Sequence, residues 1–334
     1  MTFPSAKRPS LSIEQLVQGV LEGDRTALGR AITLVESSHL DHMELAGELL
    51  GRFVSVPRNT VRIGITGVPG VGKSTFIEAF GSYLLSIGKK VAVIAVDPSS
   101  SISGGSILGD KTRMETLVRN RDCFIRPVPS KGALGGVAAN TTETILLCEA
   151  AGFDVVLVET VGVGQNEVTV RDLVDFFLLL MLPNAGDNLQ GMKRGIMELA
   201  DHILINKADG ENRMSADAAR NEYQQSIEFM RAATSGWKTS VDVCSALEHS
   251  GMETAWAVVQ QFVEATTSRG TFTDRRQKQQ RQWLRLRLAS QLQARFFADD
   301  NVKQALSATE DAFLSGKTTL VEAIQTILAA WKTE

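Results

Sequence analysis

The sequence predicts an α/β fold in which a mostly parallel central sheet is flanked by helices, with helical extensions at both ends. Between residue 61 and about residue 265, short β-rich stretches alternate with stretches of helical length and spacing. Several β-rich stretches, such as VVLV and FFLLLML, are apolar at successive residues, which is typical of strands buried on both faces. Strands that alternate with helices predict a parallel sheet covered on both sides.

Residues 12–53 are predicted to form helices, and residues 1–57 are assigned to an N-terminal helical region. Ser12 and Gln15 have the spacing of a capping box, and apolar residues at helical spacing follow them. Asp24 is placed to cap a second helix. Pro57 ends this region because proline interrupts a helical pattern.

Seven strands are predicted within residues 58–268, which we assign to one domain. They are expected at residues 61–66, 90–97, 123–127, 154–160, 176–182, 202–206 and 239–245. Intervening helices are expected at residues 74–87 and 143–151, which have helical length and apolar spacing.

The remaining residues, 269–334, lack the β-rich pattern and are assigned to a C-terminal helical region. Two helices are predicted there, at residues 276–297 and 318–332. The basic run at 275–287 is interpreted as the solvated face of the first helix. The apolar side of that helix is expected to carry Trp283, Leu284 and Leu288.

Composition and charge argue against several classes of protein. The formal net charge of −3 gives no general reason to expect a nucleic-acid partner. The three cysteines are widely scattered, so we predict neither a disulfide framework nor a thiolate metal site, and we expect a reducing compartment. The N-terminus lacks the pattern of a signal or transit peptide, and the longest apolar run, 176–183, is too short to span a bilayer. A cytoplasmic protein without a membrane partner is therefore expected.

A glycine-rich stretch after the first predicted strand matches GxxxxGK[ST] at every fixed position. Backbone N–H groups in such a loop converge on phosphate oxygens, and the N-terminus of the following helix favours anions. Lys73 supplies a charge for the β and γ phosphates, and the Ser74 hydroxyl is placed to bind Mg²⁺. The sequence therefore predicts a P-loop NTPase domain. The expected nucleotide contacts in the loop are Gly67, Val68, Pro69, Gly70, Val71, Gly72, Lys73, Ser74 and Thr75.

Besides the Ser74 hydroxyl, an acidic residue is expected near the metal, at the end of a buried strand. Glu159 follows the apolar run VVLV, and ETVG at 159–162 parallels the DxxG switch of GTPases, with Glu in place of Asp. Glu159 can still reach the metal through a water molecule, and Gly162 can donate its backbone N–H to the γ-phosphate. We expect Lys73, Asp97, Glu159 and Gly162 to act in catalysis.

Two further acids, Asp97 and Asp110, are candidate metal ligands. Asp97 ends the strand VAVIAV, and a polar, glycine-rich segment after it ends near Asp110. Because Asp97 ends a core strand near the phosphate loop, a metal role is favoured over helix capping. For Asp110 the two roles stay open.

The base is expected to be recognised by NKAD at 206–209, which follows a predicted strand and matches NKxD. The Asp209 carboxylate can accept hydrogen bonds from the ring N–H and the exocyclic amine of guanine, whereas adenine would leave it unpaired. Asn206 can brace neighbouring loops, and the stem of Lys207 can lie on the base. GTP and GDP, bound with Mg²⁺, are thus the predicted ligands. Backbone amides at the guanine carbonyl are expected from Ser245, Ala246 and Leu247.

The water-orienting Gln that small signalling GTPases place directly after the switch glycine is absent. Val163 occupies that position, and Gln165 lies two residues further on. No arginine finger is evident in the sequence. We therefore expect slow hydrolysis by the isolated chain and faster turnover when a partner reorders the switches.

Longer strings around these motifs carry a more specific resemblance that covers nearly the whole chain. They are GVPGVGKST (67–75), AVDPSS (95–100), GGSILGDKTRM (104–114), ETILLCEAAGFDVVLVETVGVGQNE (143–167), LPNAGDNLQGMKRGIMELAD (182–201), NKADG (206–210) and CSALE (244–248). With these strings the chain resembles the MeaB/ArgK-type G-protein chaperones of adenosylcobalamin-dependent acyl-CoA mutases, in the SIMIBI class of P-loop GTPases.

The resemblance implies a GTPase that gates cofactor delivery to methylmalonyl-CoA mutase and protects that enzyme from inactivation. It also implies a homodimer built through the C-terminal helices. Phosphates and Mg²⁺ would be handled by Lys73, Ser74, Asp97, Asp110 and Glu159. An extra switch that reports the nucleotide state to the mutase would include Asp187, Gln190 and Lys193.

Three asparagines in or near the switch segments depart from the family pattern, which leaves the details of partner coupling open. They are Asn166, Asn184 and Asn188. The mutase served could also be another B12-dependent acyl-CoA mutase.

Three competing functions are compatible with a P-loop. A nickel-insertion GTPase is the first, but the His-rich or Cys/His tracts typical of that class are absent from the sequence. A binding module that does not hydrolyse nucleotide is the second. An ATP-using kinase or transport ATPase is the third, and Asp209 argues against it.

Overall fold

The structure is a computed structural model of the 334-residue chain, and it describes residues 12–37, 39–56, 59–97, 114–129, 136–160, 167–183 and 195–331. The chain divides into two compact units, Met1–Gln279 and Gln280–Glu334. The sheet belongs to the first unit, whereas the described part of the second is helical. Across the described segments, the helices all fall short of the length or apolarity that a membrane span requires.

A seven-stranded sheet with the order β3-β2-β4-β1-β5-β6-β7 forms the centre of the first unit, and every strand pair in it is parallel. The predicted α/β fold and all seven predicted strands are confirmed, with ends that differ by one or two residues. The strands are β1 (Val61–Gly67), β2 (Val91–Asp97), β3 (Cys123–Pro129), β4 (Val155–Thr160), β5 (Phe176–Met181), β6 (His202–Ile205) and β7 (Ser240–Val243).

Helices precede, alternate with and follow the strands. Those up to the middle of the sheet are α1 (Ile13–Leu21), α2 (Arg25–Val35), α3 (Leu40–Gly51), α4 (Lys73–Ser86), α5 (Glu115–Arg119), α6 (Gly136–Ala150) and α7 (Glu167–Arg171). Those that follow are α8 (Asn212–Glu228), α9 (Met252–Ser268), α10 (Thr271–Ala298), α11 (Asp300–Leu314) and α12 (Leu320–Ala330). The sequence pattern predicts α10 and α12 but not α11.

Capping contacts confirm the two predicted helix starts near the N-terminus. Ser12 Oγ accepts a hydrogen bond from the backbone N–H of Gln15 at 3.3 Å, and Gln15 Oε1 accepts one from the Ser12 N–H at 2.9 Å. Asp24 Oδ1 accepts from the N–H of Thr26 at 2.7 Å. Each cap satisfies N–H groups that a helix start otherwise leaves without partners.

Both faces of the sheet are covered by apolar packing. One cluster joins α4 and α9 to the sheet, and a second joins α8 to it. Leu178 and Leu180 of β5 belong to the first cluster, whereas Leu179 and Met181 belong to the second. Because successive side chains of a strand point to opposite faces, the two clusters lie on opposite sides of the sheet. This explains why the strand sequences are apolar without alternation.

Charged side chains are buried at the amino ends of β1 and β5. Asp175, directly before β5, accepts a hydrogen bond from the Arg62 backbone N–H at 2.9 Å and one from Arg276 Nη2 at 2.6 Å. The Arg62 side chain in turn donates to Glu149, with Nε 2.7 Å from Oε1. Burial tends to raise the pKa of Asp175, but the hydrogen bonds and charge of Arg276, with the charge of Arg62, hold that pKa below its ordinary value.

A second buried charged group lies at the start of β6. Asp201 forms an ion pair with Arg171 at 2.9 Å and accepts a hydrogen bond from the Phe177 backbone N–H at 2.9 Å. Burial lowers the pKa of Arg171 to about 10 against the opposing effect of the Asp201 charge, so the guanidinium stays protonated at neutral pH. Arg275 completes the group, because its Nη1 lies 3.6 Å from Asp201 Oδ2 and its Nη2 donates to Thr234.

The interpretation of residues 275–287 as a solvated face is wrong at its first two residues. The side chains of Arg275 and Arg276 are each only 17% exposed, because both are paired with carboxylates at the amino edge of the sheet. Arg276 and Asp175 lie 101 residues apart in the chain, so helical periodicity alone could not reveal the contact. The predicted apolar side is also open to solvent, with Leu284 71% and Leu288 55% exposed.

Asp175→Asn is expected to lower the free energy of unfolding by about 3–5 kcal/mol, because an amide cannot balance the buried charge of Arg276. Urea denaturation followed by circular dichroism at pH 7 measures the change. The matched control is Asp217→Asn on α8, whose carboxylate is 42% exposed and lies 3.7 Å from Arg213. The control should cost less than about 1 kcal/mol. Similar small losses in both variants would show that the buried network does not stabilise the fold.

Candidate nucleotide-binding site

Four strands end at the same edge of the sheet, and each end carries a residue expected to bind nucleotide. β1 ends at Gly67, and β4 ends directly after Glu159. β6 ends directly before Asn206, and β7 ends two residues before Ser245. The carboxyl edge of a parallel sheet is where α/β proteins bind ligands, so the fold brings together motifs that are far apart in the chain.

The glycine-rich loop between β1 and α4 adopts a backbone conformation that favours glycine. Gly72, at the N-cap of α4, has a φ of 92°. A Cβ added there would lie 3.0 Å from Asn206 Nδ2, so a side chain would disturb that amide as well as strain the backbone. The helix starts at the next residue, Lys73, with its N-terminal N–H groups facing the loop. This is the backbone arrangement that binds phosphate at helix N-termini.

The Lys73 side chain folds back over the loop that precedes it. Its Nζ donates a hydrogen bond to the Gly67 carbonyl at 2.9 Å and lies 3.5 Å from the Val68 carbonyl. These contacts hold a positive charge beside the loop amides. The arrangement supplies both the N–H donors and the cation that a polyphosphate requires.

Two oxygen-bearing side chains meet where β4 ends against the start of α4. Ser74 Oγ donates a hydrogen bond to Glu159 Oε1 at 3.2 Å, and Glu159 is only 7% exposed. Hydroxyl and carboxylate oxygens are ligands that Mg²⁺ prefers, so this pair fits the predicted ion. Within the described segments, clusters of three or more His, Cys, Asp or Glu side chains suited to a metal do not occur. Further oxygen ligands would have to come from the nucleotide, from water or from the remaining predicted acids.

The remaining predicted phosphate and metal residues are only partly covered by the structure. Asp97 ends β2, and the strand register pairs Val96 with Thr160, which places the Asp97 backbone at the same edge as Glu159. The Asp97 side chain lies outside the described residues, as do Asp110 and Gly162. The predicted partner-switch residues Asp187, Gln190 and Lys193 also lie outside them.

Asn206 links the expected base-binding segment to the phosphate loop. Its Nδ2 donates to the Val71 carbonyl at 2.8 Å, and its Oδ1 accepts from the Ala246 backbone N–H at 3.1 Å. The amide is 1% exposed, so both hydrogen bonds are shielded from water. One side chain thereby joins the loops after β1, β6 and β7.

Ser245 restrains Asp209, the residue expected to recognise the base. Ser245 Oγ donates to Asp209 Oδ2 at 2.7 Å and accepts from the Glu248 backbone N–H at 3.1 Å. Lys207 has a φ of 63°, which is uncommon for a residue with a side chain and often marks a functional segment. Leu247 is 75% exposed beside these groups. Asp209 itself is half-buried, and Ser245 restrains its carboxylate through Oδ2.

Cys244 contributes a contact that the sequence motifs do not predict. Its Sγ donates to Asn206 Oδ1 at 3.5 Å, and its carbonyl accepts from the Ala208 N–H at 3.0 Å. Burial raises the pKa of the Cys244 thiol to about 12, so the neutral thiol is the form that donates. The motif CSALE places this cysteine next to Ser245, but only the tertiary structure shows which atom it contacts.

The phosphate loop, the Ser74–Glu159 oxygen pair and the NKxD segment on one edge of a parallel sheet define the class of P-loop guanine nucleotide hydrolases. Residues 28–301 match the family model described as methylmalonyl-CoA mutase-associated GTPase MeaB. The chain belongs to this family, and it is a GTPase.

Relatives across nearly the whole chain agree with this family. The chain is 46% identical over 313 residues to GTPase ArgK of Escherichia coli (strain K12), covering 92% of this chain and 95% of that protein. It is 40% identical over 330 residues to the mitochondrial methylmalonic aciduria type A homolog of Mus musculus, covering 96% of this chain and 80% of that protein. The crystal structure of an LAO/AO transport system kinase matches with a TM-score of 0.73 and 37% identity, covering 97% of this chain and 99% of that chain.

Asp209→Asn is expected to weaken GDP binding by about 10- to 100-fold, because the amide cannot accept both guanine N–H groups. The same variant should gain affinity for xanthosine diphosphate, whose C2 carbonyl accepts a hydrogen bond from the new amide. Calorimetric titration with each nucleotide measures both changes, with Asp217→Asn as the surface control. Unchanged GDP affinity would contradict the assignment of Asp209 to the base.

Proposed function

We propose that this GTPase is a chaperone for an adenosylcobalamin-dependent acyl-CoA mutase, with methylmalonyl-CoA mutase as the first candidate. In this role it gates delivery of the cofactor to the mutase and protects the enzyme from inactivation. The match of residues 28–301 to a family described as methylmalonyl-CoA mutase-associated carries the proposal. The mouse relative, whose name refers to methylmalonic aciduria, supports it.

The phosphates and Mg²⁺ are assigned to the edge of the sheet where Lys73, Ser74 and Glu159 meet. Lys73 offsets the negative charge of the β and γ phosphates, and the loop amides after Gly67 orient them. Ser74 and Glu159, with Asp97 and Asp110, would hold Mg²⁺, which when bound neutralises charge that develops on the phosphate oxygens. The 3.2 Å contact between Ser74 Oγ and Glu159 Oε1 supports this assignment.

Nucleotide state is proposed to reach the partner through two segments of the chain. Gly162 would contact the γ-phosphate and release it after hydrolysis, as switch glycines do. The segment with Asp187, Gln190 and Lys193 follows β5 and would report that change to the mutase. Because no Gln directly follows Gly162, the partner is expected to complete the arrangement for fast hydrolysis.

An ATP-dependent activity is the competing proposal, since one similar structure is described as a transport system kinase. The base-binding segment argues against it. The Asp209 carboxylate, to which Ser245 Oγ donates at 2.7 Å, can pair with the two N–H donors of guanine, whereas adenine offers no such pair. Guanine satisfies the carboxylate, so GTP remains the proposed substrate.

The mutase proposal predicts that phosphate release from GTP rises at least about ten-fold when methylmalonyl-CoA mutase is added. Release from ATP should not respond. In Asp209→Asn the mutase should stimulate hydrolysis of xanthosine triphosphate rather than GTP, which shows that the stimulated site is this one. Stimulation by an isobutyryl-CoA or ethylmalonyl-CoA mutase instead would redirect the proposal to that enzyme. No response to any of the three would contradict the chaperone role.

We also propose a homodimer formed through the C-terminal helices. In the unit Gln280–Glu334, Leu284, Leu288 and Leu292 recur every four residues along α10 and are 71%, 55% and 47% exposed. Contiguous exposed apolar surface is typical of interaction sites, so these three leucines support the proposed interface. A second copy of the same helix would cover them.

Leu288→Glu is expected to convert the dimer to a monomer, because a charge would be buried in the apolar contact. Sedimentation velocity measures the change at about 10 µM protein. At that concentration a dimer with a Kd near 1 µM is mainly associated. The control is Leu45→Glu on α3, which carries a leucine that is 42% exposed. A monomeric wild-type protein, or dissociation caused equally by the control, would contradict this interface.

A further inference from the structure

A buried hydroxyl pair joins the ends of two strands that carry the site. Thr160 Oγ1 donates a hydrogen bond to Thr66 Oγ1 at 2.8 Å. Thr66 is 0% and Thr160 is 1% exposed, so water does not compete for this bond. Thr66 directly precedes Gly67 of the phosphate loop, and Thr160 directly follows Glu159.

The bond adds a side-chain contact to the backbone pairing of β1 and β4. The register of these two strands ends at Ile65 and Glu159, whereas Thr160 is in register with Val96 of β2. At the next residue of each strand, Thr66 and Thr160 add a side-chain hydrogen bond between β1 and β4.

The side chains of the last two residues of β4, Glu159 and Thr160, lie on opposite faces of the sheet and make different contacts. Successive side chains of a strand point to opposite faces, so the Glu159 side chain extends towards Ser74 of α4 while Thr160 extends away from it. The hydroxyl pair thus fixes the strand from the face opposite to the carboxylate. A shift of the Thr160 backbone would move the adjacent Glu159 relative to Ser74.

We propose that Thr160 is a positioning residue for GTP hydrolysis. Through its hydrogen bond to Thr66, it holds the end of β4 against the start of the phosphate loop and keeps the Glu159 carboxylate at the Ser74 hydroxyl. Thr160 touches neither nucleotide nor metal in this role. The proposal depends on the GTPase activity alone and not on the mutase partner.

The test uses Thr160→Val and Thr160→Ser in the full-length protein, assayed for GTP hydrolysis without a partner. Valine keeps the shape but removes the hydroxyl and leaves Thr66 without this donor, whereas serine retains the hydroxyl. Thr160→Val is expected to lower kcat about five-fold, with KM for GTP changed less than about two-fold, since one buried hydrogen bond is worth about 1 kcal/mol. It should also raise the Mg²⁺ concentration needed for half-maximal hydrolysis. Thr160→Ser should restore both quantities.

A double-mutant cycle with Thr66→Val tests whether the two hydroxyls act as a unit. The double variant should be no slower than Thr160→Val alone, because the same interaction is removed in both. Thr66→Val also provides the measurement if Thr160→Val does not fold. The matched control is Thr144→Val on α6, since Thr144 is fully buried and its hydroxyl has no hydrogen-bond partner among the residues that the structure describes.

A wild-type kcat and Mg²⁺ dependence in Thr160→Val would overturn the proposal. So would an equal loss in Thr144→Val, which would show only a general response to removing a buried hydroxyl. Additive losses in the double variant would separate Thr160 from Thr66 and also reject the pair. A wild-type protein without GTP turnover would instead contradict the GTPase class, so the two failures are distinguishable.

Discussion

Parallel pairing of the seven strands is the constraint on which the nucleotide site depends. In a parallel sheet all carboxyl ends lie at one edge, so the ends of β1, β4, β6 and β7 lie together there. The strand order β4-β1-β5-β6-β7 then places the phosphate loop between the Glu159 strand and the strands that lead to the base-binding segments. Each motif residue needs only to lie at the end of its strand or within two residues after it, as Gly67, Glu159, Asn206 and Ser245 do.

The Asn206 side-chain amide connects the proposed phosphate-binding loop to the proposed base-binding segments. It contacts the Val71 carbonyl of the phosphate loop and the Ala246 amide after β7 through buried hydrogen bonds. In a low-dielectric interior such bonds are strong and costly to leave unmade. The loop proposed to bind the phosphates and the segments proposed to bind the base are therefore connected through one buried side chain. This link, with the Thr66–Thr160 pair, makes the positions of the loops interdependent.

The opposite edge of the sheet carries buried ion pairs in addition to its apolar packing. Asp175 and Asp201 stand directly before β5 and β6, and both are paired with arginines that are mostly buried. Burying such ions costs desolvation energy, which multiple hydrogen bonds to each carboxylate offset. Because Arg275 and Arg276 belong to the first turns of α10, the same pairs attach the start of that helix to the sheet. The carboxyl edge is thus left for the ligand, while the amino edge carries the structural ion pairs.

By itself the sequence determined the seven strands, the class of fold, the phosphate loop and the NKxD segment. These features depend on residues close together in the chain: apolar runs such as FFLLLM for a buried strand, glycines for the loop, and four residues at 206–209 for the base. Only the tertiary structure decided which distant atoms meet. Asn206 contacts Val71 across 135 residues, Thr160 contacts Thr66 across 94, and Arg276 contacts Asp175 across 101. Local periodicity cannot specify such contacts, because they follow from a strand order that differs from the order of the strands in the chain.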